Sequence, residues 1–173
     1  MKLIIKLLLF ILTVVLLSQC EEEPISKLNI PDENFLAALI EEGVDNNGDG
    51  KISTTEAEVI TYLDVSGTQD TPGEIENILG IEAFTNLDTL ICSYNQLTTL
   101  DVSNNTALTV LHCFSNQLSS LDVSNNISLK IIQLRDMPSL IEVCVWEIPF
   151  PPAGVEVDMT NSPNINLTTE CSK

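Results

Sequence analysis

Basic residues are scarce in this chain. Lysine and arginine number 7 against 25 acidic residues, and the formal net charge is −18. Lys2 and Lys6 lie near the start, so the stretch from Cys20 onward carries 5 basic and 25 acidic residues. Such a chain repels phosphate backbones and anionic lipid, which excludes nucleic acid as a partner. Histidine is scarcer still: His112 is the only one. No histidine cluster for zinc, no Ser-His-Asp set and no phosphate loop can be assembled. Cys113 beside His112 invites a Cys/His reading. Neighbours on a strand point to opposite faces, however, so the pair is not expected to act together. The chain is therefore read as a non-enzyme.

Long apolar runs are also missing beyond the N-terminal segment. The one run, Leu7 to Leu17 behind Lys2 and Lys6, has a basic start and an apolar core, and residues 1–19 read as a signal peptide. The segment ends Leu17-Ser18-Gln19-Cys20, which resembles a bacterial lipobox. That resemblance implies lipid on Cys20, although Gln19 departs from the usual Gly or Ala; an uncleaved anchor is the alternative. Glu21-Glu22-Glu23-Pro24 is similar to the surface-export signal of Bacteroidetes lipoproteins. It implies an outer membrane lipoprotein displayed at the cell surface, joined to the membrane through its lipid anchor only; a solvated tether on a periplasm-facing anchor is the alternative. Residues 20–29 are then an acidic tether.

Regular repetition is what the chain does have. The block starting at Asn86 is followed directly by one of equal length starting at Ala107. The two match at Leu87/Leu108, Leu90/Leu111, Cys92/Cys113, Asn95/Asn116, Leu97/Leu118 and Leu100/Leu121. Asp101-Val102-Ser103-Asn104-Asn105 returns unchanged as Asp122 to Asn126. A fixed period of this kind marks a solenoid, in which one turn cannot bury its apolar side and stacked turns can. The pattern L-x-x-L-x-C-x-x-N-x-L resembles the leucine-rich repeat, in the cysteine-ladder form of internalin-J-like bacterial proteins. The resemblance implies a structural ladder of asparagines at 95 and 116. About three turns are expected over residues 67–146, with an irregular first one. Its Leu79 and Ile81 stand one full period before Leu100 and Val102. Leu63-Asp64-Val65-Ser66 reads like the repeated Leu-Asp-Val-Ser. A further turn is expected to restart at Leu140, Val143 and Val145.

Residues 30–66 precede the coil. Asp32 is placed to cap a helix carrying Phe35, Leu36, Leu39 and Ile40 and ending near Gly43. A second helix is expected from Glu56 to Tyr62. Between them Asp45-Asn46-Asn47-Gly48-Asp49-Gly50-Lys51-Ile52-Ser53-Thr54-Thr55-Glu56 follows the calcium-loop pattern in full. Asp45, Asn47 and Asp49 stand at positions 1, 3 and 5, the Lys51 carbonyl at 7, Ser53 at 9 and Glu56 at 12. A hard cation needs six to eight oxygens, and this one short loop gathers them. The region is thus an EF-hand-like helical cap with calcium as its ion; a solvated acidic turn that binds nothing is the plainer reading. At the other end, Cys144 is out of phase with Val143 and Val145 and is expected to pair with Cys171, a free thiol being the alternative. Residues 147–173 read as a C-terminal cap.

The expected fold class is α+β: a short leucine-rich-repeat solenoid with a helical EF-hand-like N-terminal cap and a disulfide-closed C-terminal cap. Leucines, ladder cysteines and asparagines hold the coil, so function falls to the outward strand positions. These are Thr89, Ile91 and Ser93, then Val110, His112 and Phe114, then Ile131, Gln133 and Arg135, with Tyr94 beside them. The candidate ligand-binding set is Ile91, Ser93, Tyr94, His112, Phe114, Gln133 and Arg135. By resemblance, the expected role is binding another protein through the concave face, as in adhesion or host contact, by a monomer. A glycan-binding lipoprotein stacking sugar on Phe114, Tyr94 or Trp146 is the alternative, as is a passive envelope protein.

Overall fold

The computed structural model describes residues 26–171. The signal segment 1–19, Cys20 and the Glu21–Glu23 run lie outside the described residues, and so do the expectations attached to them. Among the described residues no helix is long and apolar enough to cross a membrane.

Helix α1 (Glu33–Glu41) is capped by Asp32, whose Oδ1 accepts from the N–H groups of Asn34 and Phe35. Its Oδ2 accepts from Glu76 and Asn77 at 2.8 and 3.0 Å. One carboxylate therefore starts the helix and fastens it to the first coil. Burial pushes the Asp32 carboxyl up, but the four backbone N–H groups outweigh it and hold it below the usual range. Phe35 and Leu39 face inward and are fully buried. The helix stops before Gly43, whose φ of 77° is left-handed.

Helix α2 (Thr54–Glu58) begins with a reciprocal capping box between Ser53 and Glu56. It is shorter than expected, because Tyr62 belongs to strand β1 (Tyr62–Asp64). The Thr61 carbonyl accepts from both Asp88 and Thr89, so sheet pairing takes over where the helical pattern continued. Ser26–Leu28, read above as the end of the tether, lie against the cap. Leu28 donates to the Ile52 carbonyl and Thr54 to the Ser26 carbonyl.

The solenoid has five turns rather than about three. Strands β1, β2 (Thr89–Ile91), β3 (Val110–His112), β5 (Ile131–Gln133) and β7 (Glu156–Asp158) form one parallel sheet in that order. Strands β4 (Ser120–Asp122), β6 (Glu142–Cys144) and β8 (Asn166–Thr168) form a second on the returning side of the coils. Leu63 pairs with Leu90, so it occupies the Leu-x-Cys strand position and not the Leu-Asp-Val-Ser one. Ile132 pairs with Val157. These end turns carry insertions, the Thr68–Gly73 loop and the 147–154 loop, which break the fixed period without breaking the stack. In the first turn Ile81 is buried as expected, whereas Leu79 is 49% exposed and Ile78 is buried instead.

Two further expectations are corrected at the C-terminal end. Val143 pairs with Leu121, so Leu140 to Val145 is the returning half of the third repeat and not a new turn. Residues 147–173 do not cover the stack; up to Cys171 they build its last turn, whose β7 and β8 extend both sheets. The Cys144–Cys171 disulfide is present, with Cα atoms 5.5 Å apart. Cys144 is out of phase as expected but buried, at 3% exposure, with Cys171 bonded to it.

Apolar side chains stack in columns through the coils. Leu90, Leu111 and Ile132 form one column, and Cys92, Cys113 and Leu134 another, all essentially inaccessible. Each large member contributes roughly 1.5–3 kcal/mol by burial. Polar columns close the bends. Asn116 Nδ2 donates to the Cys92 and Cys113 carbonyls at 3.0 and 2.9 Å, and its Oδ1 accepts from Leu97. Asn95 does the same one turn earlier, toward Val65 and Ile75. Met137 ends this run, yet Ser162 resumes it: its Oγ accepts from Met137 and donates to the Leu134 carbonyl at 2.6 Å.

Candidate functional site

The five-stranded sheet turns alternate side chains away from the core. One outward row is Tyr62, Thr89, Val110, Ile131 and Glu156; the next is Asp64, Ile91, His112, Gln133 and Asp158. A third row follows at the strand ends. The bonds from Gly67 to the Ser93 carbonyl, Tyr94 to Phe114, Ser115 to Arg135 and Asp136 to Thr160 place Ser66, Ser93, Phe114, Arg135 and Thr160 level with one another. After this row the chain bends through a left-handed residue in turn after turn: Tyr94, Ser115, Asp136 and Asn161, with φ of 54° to 60°.

That third row is where the outward residues meet. The Arg135 guanidinium carbon lies 4.0 Å from the Phe114 ring centroid. The Tyr94 ring meets Phe114 edge-on at 5.0 Å, and the His112 ring is 6.5 Å from it. Ile91, Tyr94, His112, Gln133 and Arg135 are half-buried. Two members of the expected set are not outward surface. Ser93 is 1% exposed and Phe114 is 8% exposed. Arg135 and Tyr94 cover Phe114, and Ser93 lies level with Phe114 and next to Tyr94 in the chain. The sugar-stacking role expected of Phe114 is corrected on the same ground, since its ring is already engaged.

His112 and Cys113 point to opposite faces, as strand alternation demands. Burial pushes the Cys113 thiol up to about 12, and Cys92 also rises well above its usual value of 9.0. Both are ladder residues whose Sγ atoms face the His112 and Gln133 carbonyls. Partial burial lowers the pKa of His112, the Arg135 charge lowers it further, and Asp64 opposes both.

The Asp45–Glu56 loop is closed by its own side chains. Asp45 Oδ2 accepts from Gly50 at 2.8 Å, Asn47 Oδ1 from Asp49 at 2.9 Å, and Asp49 Oδ1 from Lys51 at 3.0 Å. Gly48 and Gly50 have φ of 71° and 74°, which a side chain would oppose. Ile52 is buried and anchors the loop to the core. Glu56 Oε2 accepts from Ser53 N–H and Oγ, while Oε1 accepts from Asn47 Nδ2 at 2.9 Å. The Ser53 N–H group holds the Glu56 carboxyl below its ordinary range against the opposing effect of burial. Lys27 Nζ stands 2.6 Å from Asp49 Oδ2. The donors are all oxygen and suit a hard cation, which would have to displace Lys27 and turn Asn47 away from Glu56.

Sequence reasoning missed three features. Asn105 and Asn126 form a second, fully buried ladder: Asn126 Nδ2 donates to the Val102 and Asn105 carbonyls, and Asn105 Nδ2 to those of Ile81 and Phe84. The repeated Asn-Asn pair was its visible signal. Ser162 in the first ladder carried no such signal. Nor did the contact of Arg135 with Phe114, whose members lie on adjacent coils.

The repeats also relate the chain to known proteins. It is 40% identical to internalin J of Listeria monocytogenes serotype 4b (strain F2365) over 76 residues, 44% of this chain and 8% of that protein. Its leucine-rich repeats are internalin-like. The internalin-like coil matches a solved internalin (inlF) of L. monocytogenes at TM-score 0.52 and 22% identity, over 80% of this chain and 42% of that one. Internalin C2 (inlC2) of the same species matches at TM-score 0.52 and 18% identity, over 84% and 69%. No family model matches. The chain thus spans a small part of the curated relative, and the structural likenesses concern the fold.

Proposed function

We propose that this chain is a surface-displayed protein-binding module that engages another protein through the outward face of its five-stranded sheet. The observation that carries the proposal is the Tyr94–Phe114–Arg135 cluster with His112 beside it. Aromatic and arginine side chains concentrate binding energy at protein interfaces. Here they stand just past the ends of β2, β3 and β5, beside columns of buried leucine and isoleucine. The internalin-like repeats support the same reading, and the role is adhesion or contact with a host or neighbouring cell. Cys20 supplies the lipid anchor to the outer membrane. Asp45, Asn47, Asp49, the Lys51 carbonyl, Ser53 and Glu56 hold a calcium ion that stiffens the cap rather than signalling.

The test is binding of residues 21–173 to arrays of purified host and bacterial surface proteins, beside the Y94A/R135A double variant, whose two side chains are half-buried. A partner lost in the variant at unchanged melting temperature supports the proposal. A partner retained by it moves the site off this face. A glycan reading keeps one specific feature in its favour: Trp146 and Phe150 meet edge-on at 5.1 Å, and Trp146 borders an open cavity of about 670 Å³ with Lys130 and Glu147. Oligosaccharide arrays, with W146A as control, decide it.

A further inference from the structure

Arg135 is the only arginine of the chain and His112 the only histidine, and both stand at the same phenylalanine. In a protein of net charge −18 this puts the one guanidinium beside the one imidazole at a single spot. Arg135 is also unpaired. Among the described residues the one ion pair is Lys27–Asp49, and the Arg135 Nε is enclosed with no hydrogen-bond partner. Its contact with the Phe114 ring satisfies no N–H donor. The acid placed to compete for it is Asp158, whose carboxyl feels the Arg135 charge. Asp158 Oδ1 accepts instead from the Thr160 N–H at 2.9 Å. A guanidinium held on an aromatic ring keeps a planar fork of donors that matches a carboxylate with two parallel bonds.

Resting on the protein-binding reading above, we infer that Arg135 is the receptor for an acidic side chain of the partner protein, seated beside Tyr94 and Phe114. The other charged groups in the outward rows of this sheet, Asp64, Glu156 and Asp158, repel acids, so an acidic residue of the partner seats at Arg135 and sets the register.

A random peptide library displayed on phage, selected on the folded 21–173 protein, tests this. General electrostatics favour basic peptides on so acidic a protein. The expected result is peptides that share one Asp or Glu. R135K, which keeps the charge but not the fork, should weaken them at least tenfold with the melting temperature unchanged. Changing that peptide acid to its amide should cost the same, and the two changes together should cost little more than either alone. Peptides that lack a shared acid, or bind R135K unchanged, while Y94A abolishes them at unchanged melting temperature, overturn the inference and leave the binding face standing. A selection with no peptide sensitive to Y94A or R135A overturns both.

Discussion

The Lys27 ammonium lies 2.6 Å from Oδ2 of Asp49, at the fifth position of the acidic loop. The segment carrying Lys27 also pairs with the loop backbone, through the bond from Leu28 to the Ile52 carbonyl. A cation entering the loop must therefore compete with a tethered ammonium. K27M is expected to raise calcium affinity several-fold, read by isothermal titration calorimetry, and E56Q to abolish binding. Extracellular calcium loops bind at about 10⁻⁴ to 10⁻³ M, and at that affinity ~1 mM calcium would add only about 0.4 to 1.4 kcal/mol of stability. Equal affinities for K27M and the parent would remove the competition from the account.

The asparagine columns carry more weight than their number suggests. Asn116 serves the Cys92 and Cys113 carbonyls and the Leu97 N–H at once. Leaving such buried groups unpaired costs about 1–3 kcal/mol each, so N116A should lose about 3 kcal/mol or more in denaturant unfolding. Gln117 next to it is exposed, and Q117A should stay within about 0.5 kcal/mol. A loss below about 1 kcal/mol for N116A would show that water replaces the amide.

The single histidine makes the sheet face readable by NMR. Burial and then Arg135 hold the His112 pKa below its usual value, against Asp64. R135Q should raise it and D64N lower it further. Because the folded pKa lies below that of the unfolded chain, His112 contributes nothing to pH dependence above about 6.5. It costs stability as pH falls from there through the folded pKa. A His112 pKa that ignores R135Q would mean the two side chains are farther apart in solution.

Thiol chemistry should separate the two pairs of cysteines. Cys92 and Cys113 are buried and free, whereas Cys144 and Cys171 are bonded. The native 21–173 protein should not react with Ellman's reagent, and guanidinium should release two equivalents. Opening the bond by C144A/C171A should cost roughly 3 kcal/mol, from the freedom regained by the unfolded chain. Four equivalents after unfolding would show that the bond is not formed.

Much of the coil is legible because its period is a direct consequence of stacking. Leu90, Cys92, Asn95 and Leu97 each meet a counterpart one period on, so burial and strand alternation follow from the pattern alone. The end turns were not legible as turns. Leu63 and its partner Leu90 are farther apart in the chain than Leu90 and Leu111, and so are Ile132 and Val157. Loops on the edge lengthen those coils. A loop insertion leaves the stack intact and destroys the signal.

The amino-acid sequence by itself determined the solenoid, its inward columns and the capped helix from Asp32. All of these rest on local spacing, which side-chain direction and backbone turns obey without reference to distant partners. Tertiary structure alone decided the number of turns, the second asparagine ladder, the return of the Ser162 hydroxyl to the place Met137 vacates, and the burial of Ser93 and Phe114. It also decided that Arg135 rests on Phe114 and not in an ion pair. Each depends on which coil lies beside which, and that register is set by the packing of whole turns rather than by any one of them.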